Sequence, residues 1–300
     1  MATKQRSRAR RSNQSRDRGP RFVAPVLDPT WQSPYAPSLA EKHHNQKVVR
    51  SFALRKKLPQ TILIAVVSLA LIAGVVAVPW LPVVGVAIAL LYAWDLRRAL
   101  VRYEEKGLLL GNLVFDQFKA GGTATDRLRL TTVLDRLTAT FGVDVVQSYI
   151  VSDSGYNAAL VPNGAGLSFF VTDAAMRDFE LIELEGVVAH CLARHRLGLL
   201  PRESVASVAT TNDEARRALA GAGTAYRADE VAAAAIRYPL GIAGALHRCA
   251  RQVLASDSFF ASPTYAQWRW IWFDIWSDQK RTDLSNLDDP ELRALALEEW

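Results

Sequence analysis

Charge is missing from one long stretch of this chain: between Leu58 and Trp94, 37 consecutive residues carry none. A run of that length excludes an ordinary solvated segment, because apolar surface on every side has no water-facing side to keep. Cysteine is nearly absent as well. Two thiols, Cys191 and Cys249, cannot form a disulfide framework, and so few fit a reducing compartment. Histidine is sparse: His43, His44 and His247 carry no site pattern, leaving His190 and His195 as the informative pair. Aromatic residues are thin among the N-terminal basic residues, and no nucleic-acid-binding module is recognisable there. That composition argues against specific nucleic-acid recognition.

The positive charge is concentrated at the N-terminus. Residues 1–57 hold 14 Lys and Arg against three Asp and Glu, whereas the whole chain is only +6. The tail is therefore about +11 and the remainder about −5. Residues 1–57 read as a basic disordered tail: a solvated segment in the first reading, and in the sharper one an arm that touches anionic lipid headgroups. Residues 58–95 read as a transmembrane hairpin. "LPQTILIAVVSLALIAGVVAV" is long enough to span a hydrocarbon core, "PWLP" (Pro79–Pro82) breaks it, and "VVGVAIALLYAW" returns. Both flanks are basic, with Arg55, Lys56 and Lys57 before and Arg97, Arg98 and Arg102 after. The positive-inside rule then puts both ends of the hairpin in the cytoplasm. The expectation is a multi-pass protein of a bacterial-type inner (plasma) membrane, with body and N-terminus cytoplasmic; the second segment is short for a span, and if only the first one crossed, the body would lie outside.

Residues 96–300 read as a mainly helical α+β domain with a small β-sheet. Leu128, Leu130, Val133, Leu134, Leu137 and Phe141 follow helical spacing up to Gly142. Strands are expected in "VDVVQSYIV", "AALVP" and "LSFFVT", and Asp173 is expected to cap a short helix. A long helix follows, with Leu184, Val187, Val188, Cys191 and Leu192 on one face and a stop at Gly198 and Pro201. Residues 202–224, rich in Ala, Gly and Thr, read as a loop or a loosely ordered linker. Helices are expected again at "YRADEVAAAAIR", "IAGALHRCARQVLA" and "DPELRALALEEW". The run Trp268, Trp270, Trp272 and Trp276 has period two, which suggests an extended segment packed on one face, or otherwise an exposed partner or membrane patch.

The helix sequence "VVAHCLARHRLG" (187–198) poses the functional question. Zinc peptidases place two His one helical turn apart with a Glu after the first. Here Cys191 follows His190, Arg194 stands four residues on, and His195 comes one residue late. Asn157-Ala158, "FFVTDAAM" (169–176), "IELEGVVAHCLARH" (182–195), "AYRAD" (225–229) and "RYPLGIAGALHR" (237–248) occur in an order that resembles the HtpX-like membrane-anchored zinc metallopeptidases. The resemblance implies a metallopeptidase-like fold for 96–300. It matches His190 to the first zinc ligand, Cys191 to the general base, Arg194 to the second ligand and Ala225 to the third. Asp229 matches the Asp that supports the site from behind, and Asn157, Ala158 and His190 would line the cleft.

One His is not a zinc site, since catalytic zinc needs three protein ligands and an open position. A permanent guanidinium in a ligand position repels a dication at every pH. The expectation is therefore a degenerate, catalytically inactive member that has lost zinc, has no cofactor, and acts by binding an unidentified protein or peptide as regulator or scaffold. The competing readings are an active peptidase with an atypical site and a purely structural membrane protein. Cys191 and His195 share a helix face at i, i+4, but their expected roles are a core thiol and an ordinary part-exposed His. A buried Arg194 needs a carboxylate, and Asp229 is the expected partner.

Overall fold

Two long helices open the fold, and in the computed structural model they run side by side. The described residues are 35–73, 78–108, 110–144, 146–164, 166–209, 212–275 and 288–300. Helix α1 is Leu39–Ala73 and α2 is Leu81–Leu108. Thr61 Oγ1 meets the Tyr92 hydroxyl at 2.8 Å, Lys57 Nζ meets Asp95 at 3.8 Å, and Gly85 lies against the Ser68 carbonyl. Each of these pairs joins a later α1 residue to an earlier α2 residue, so the helices are antiparallel in one constant register. The crossing is close because Gly85 has no side chain there.

Among the described residues, α1 is the one helix long and apolar enough to cross a membrane. Its apolar half is exposed at Ile62, Leu63, Val66 and Leu69. By the same measure α2 falls short. Asp95, Arg97 and Arg98 end its apolar stretch after Trp94, leaving about 21 Å of apolar helix from Leu81 at 1.5 Å per residue.

Two expected boundaries are corrected. The disordered tail does not extend to residue 57, because α1 is already helical from Leu39. Asn45, Val49 and Ala53, at i, i+4 and i+8, form a buried stripe that docks this half of α1 on the body. Asn45 donates to the Leu197 carbonyl at 2.8 Å, and Glu41 pairs with Arg227 at 3.0 Å. Likewise α2 runs past residue 95 to Leu108, so no linker separates hairpin from body. Tyr35–Trp300 forms one compact unit. The expectations for residues 1–34 and for Trp276 lie outside the described residues.

The body is α+β. Helix α3 (Leu110–Gln117) precedes α4 (Ala124–Phe141), which begins with a Thr123–Asp126 capping box and ends at left-handed Gly142. Leu128 proves exposed, since it falls off the stripe of Leu130, Val133, Leu134 and Leu137. Strands β1 (Val146–Val151), β2 (Ala158–Asn163) and β3 (Gly166–Thr172) form a sheet of order β1-β3-β2, with β1 parallel and β2 antiparallel to β3. Helix α5 (Asp173–Asp178) is capped by Thr172, not by the expected Asp173, which is its first helical residue.

Helix α6 (Leu181–Arg196) crosses one face of the sheet. Leu184, Val187, Val188, Cys191 and Leu192 pack there with Ala158, Leu160, Phe169 and Val171. The alternate strand residues Ala159, Val161 and Phe170 face the other way, against Leu110, Phe260, Trp268 and Trp272. Period-two side chains thus bury both faces of β2.

The expected loop at 202–224 is a second correction. It folds as α7 (Leu200–Ala209) and α8 (Asp213–Ala220). Pro201 does not stop α6; it sits in the first turn of α7, where its missing N–H costs nothing. Helices α9 (Thr224–Ile236), α10 (Pro239–Arg251), α11 (Pro263–Trp268) and α12 (Pro290–Glu298) complete the chain. The Trp run is not a strand. Trp268 ends α11, Trp270 lies in a 3-10 turn, and Trp272 bridges to Ala159, yet all three are buried.

Helices α6 and α10 meet backbone to backbone. A Cβ added at Gly186 would lie 2.7 Å from Ile242 N and 2.9 Å from Gly241 C, atoms that cannot rotate away. Gly186→Ala is expected to destabilise by about 1–3 kcal/mol, as overpacking does. Gly166→Ala, whose added carbon meets only Asn163 O at 3.8 Å, is the control. Chemical-denaturant midpoints compare them, and equal losses would refute the close-contact account.

Candidate functional site

Helix α6 is where an apolar face carries polar groups into the core. Every residue from Gly186 to Arg194 is buried, so this part of α6 is enclosed on all sides. His190 is fully buried within it. Its Nδ1 lies 2.6 Å from Asp229 Oδ1, on α9. Ionised Asp229 can only accept, so the proton belongs on Nδ1, and Nε2 keeps a lone pair. Among the described residues that Nε2 is buried without a hydrogen-bond partner. The Phe273 ring packs at 85° to the imidazole, with centroids 5.1 Å apart.

Asp229 is shared. Arg293, on α12, donates through Nε to Oδ2 at 2.6 Å and through Nη2 to Oδ1 at 3.0 Å. The same guanidinium donates to the Phe273 carbonyl at 3.0 Å. Burial pushes the His190 pKa down to about 4, with Asp229 pulling the other way and Arg293 and Arg194 adding to the depression. Burial would raise the Asp229 carboxyl, but Arg293 and His190 outweigh it and hold the carboxyl below its usual range. The imidazole is therefore neutral at pH 7, beside a carboxylate already matched by a guanidinium.

One turn on, Arg194 points into the core and is only 2% exposed. Its carboxylate partner is Glu203 on α7, not Asp229 as the sequence led one to expect. Nε lies 3.2 Å from Glu203 Oε1, and Nη2 lies 2.6 Å from Oε2. The remaining guanidinium hydrogens go to the backbone: Nη1 donates to the Ile271 carbonyl at 2.7 Å and Nη2 to the Trp270 carbonyl at 2.5 Å. Asp229 is engaged instead by Arg293 through both oxygens and by His190. Burial pushes the Glu203 carboxyl up while Arg194 and Arg202 pull it down.

The stretch from Trp270 to Asp274 lies along the outer edge of β2. Phe273 N donates to the Ala158 carbonyl at 2.7 Å, and Trp272 bridges to Ala159. Asn157, 1% exposed, clamps the end of this stretch: its Oδ1 accepts from Asp274 N at 3.0 Å, and its Nδ2 donates to the Asp274 carbonyl at 2.9 Å. Asn157, Ala158 and His190 thus line no open cleft. Their region is filled by the chain's own backbone, whose carbonyls from 270 to 273 are received by Arg194 and Arg293.

The other expected site residues are placed as follows. Cys191 is fully buried in the core, where desolvation pushes its thiol up to about 12. His195 is partly exposed. Ala225 sits in the first turn of α9, and its N–H donates to Asp288 Oδ1 at 3.1 Å. Sequence reasoning missed Glu203 and Arg293. A signal for Arg293 was present: Pro290, Arg293, Ala294 and Leu297 form the buried face of α12, so a charge occupied an apolar-face position.

These residues do not fit a zinc ion. One imidazole nitrogen is bare, the Arg194 guanidinium stands one turn away, and Arg293 adds a second fixed charge. Among the described residues no group of three or more His, Cys, Asp and Glu could hold a metal. No protein-family model, curated protein or solved structure matches the chain.

Two outcomes test this site. Removing one member of a buried pair leaves the other charge uncompensated, so Arg194→Ala and Glu203→Ala are each expected to cost about 3–5 kcal/mol. In a double-mutant cycle the losses should be strongly non-additive; simple addition would refute the pairing.

The second concerns pH. His190 has a folded pKa of about 4, below the unfolded value of 6.5, so in that window the unfolded chain binds the extra proton. Its contribution to stability is complete above the unfolded pKa and declines as pH falls toward the folded one. His190→Gln should remove about one proton of linkage between those values. An unchanged pH dependence of the denaturation midpoint would show that His190 is not the group responsible.

Proposed function

We propose that this chain is a membrane-anchored, catalytically inactive relative of the HtpX-like zinc metallopeptidases, retaining their framework as a metal-free scaffold for a protein partner. The observation that carries the reading is the setting of Arg194. A guanidinium stands where that family would need its second zinc-binding His, and it is neutralised by Glu203 and by backbone carbonyls. The His190–Asp229 contact supports the family part, since it joins the two residues matched to the first ligand and its supporting Asp.

Hydrolysis at a metal needs a carboxylate to take the proton from bound water. Cys191, with its thiol pushed up to about 12 and no solvent exposure, supplies neither charge nor access. Residues 272 and 273 already pair with Ala159 and Ala158 at the start of the β2 edge, which closes that part of it to a bound peptide. The partner is therefore an unidentified protein held on an outer surface, not a peptide in the cleft.

The anchor is read as a hairpin. Helix α1 is apolar enough to span, and α2 lies against it in antiparallel register, so residues 81–94 share the depth of residues 59–72. Both basic flanks then face one side. The positive-inside rule makes that side cytoplasmic, in a bacterial-type inner membrane.

Metal analysis of the full chain, purified without chelators, tests the central point. The expected result is sub-stoichiometric zinc and no peptidase activity that His190→Ala abolishes. One tightly held zinc per chain, or activity lost in that variant, would overturn the proposal.

A further inference from the structure

The outward face of α2 changes character at one residue. Val83, Val86, Leu90, Leu91 and Trp94 are exposed apolar side chains along it. Arg97, Arg98, Val101, Arg102 and Glu105 continue the face at i+3 and i+4 spacing. With Trp94 they line a surface depression of about 400 Å³. The Arg98 guanidinium stacks on the Trp94 ring, 3.7 Å from its centroid. Arg102 is partly engaged by Asp95 at 3.6 Å, and Glu105 closes the far end. Among the described residues, Arg97 and Arg98 have no carboxylate at ion-pair distance.

We infer that this depression binds the phosphate headgroup of an anionic phospholipid whose acyl chains lie along Val83–Trp94. The reasoning rests on the membrane reading of the hairpin. An exposed apolar face needs hydrocarbon, and the first cations beyond it stand at headgroup height, two turns or less from Trp94. Guanidinium groups match phosphate in shape and in hydrogen-bond donors. The Trp94 stack holds Arg98 in place and leaves its N–H edge free to donate. The site lies on the folded hairpin and does not depend on the basic N-terminal residues.

Vesicle reconstitution tests it. The full chain is placed in phosphatidylcholine vesicles with or without phosphatidylglycerol and re-extracted in mild detergent, and retained lipid is counted by native mass spectrometry. The expected result is selective retention of phosphatidylglycerol. Each basic residue near the surface is worth about fivefold, so Arg97→Gln/Arg98→Gln should lower that selectivity on the order of 25-fold. The charge-matched control is Arg127→Gln/Arg217→Gln, on exposed positions of α4 and α8, which should keep it. No preference for phosphatidylglycerol, or equal loss in both double variants, would overturn the site. Resistance to alkaline carbonate extraction is measured on the same vesicles. A chain that washes off refutes the membrane reading itself, whereas one that stays inserted without selectivity refutes only the lipid site.

Discussion

A permanent positive charge buried on α6 dictates the arrangement around it. Arg194 cannot lose its proton and has almost no solvent, so every one of its contacts must come from the protein. Glu203 answers the charge, and the carbonyls of residues 270 and 271 take the remaining hydrogens. That single side chain therefore ties α6 to α7 and both to the stretch before Asp274. A peptide segment without regular structure could not otherwise keep its carbonyls inside the core.

Arg293 repeats the solution from the opposite end of the chain. It satisfies Asp229, and Asp229 in turn fixes which nitrogen of His190 carries the proton. Two guanidinium groups are thus each paired with a carboxylate around α6, and the imidazole stays neutral between the pairs. His190 has a structural role here, because its Nδ1–H fills a position on Asp229 Oδ1 that Arg293 leaves open.

Much of the body was legible in the chain, and what was missed was missed for connected reasons. Helix α4, the strands and α6 announced themselves through apolar spacing and glycine stops. Helix α7 did not, because "LPRESVASVA" is short, rich in Ala, Ser and Val, and has at its second position a proline that reads equally well as a stop. Missing α7 meant missing Glu203, since a residue assigned to a loop is not a candidate for a buried ion pair. The docked half of α1 was hidden by its polar composition, and the stripe of Asn45, Val49 and Ala53 emerges only against a partner surface. The pairing of residues 272–274 with β2 joins positions more than a hundred apart, and no local pattern encodes such a contact.

Helix α1 passes from the body into its apolar half without a break, as one helix of 35 residues. At 1.5 Å per residue that is a rod of about 52 Å, with Pro59 near its midpoint. A flexible tether would let the body sample any height and heading above a bilayer. A rod bolted to the body through Asn45 and Glu41 does not. On the membrane reading proposed above, the body is held at one elevation and one azimuth, so the surface it offers to a neighbour in the same membrane is chosen by helix phase. Inserting a single residue between Ala53 and Leu58 would rotate the apolar half of α1 by about 100° against its docked half and break its register with α2 at Lys57–Asp95 and Thr61–Tyr92.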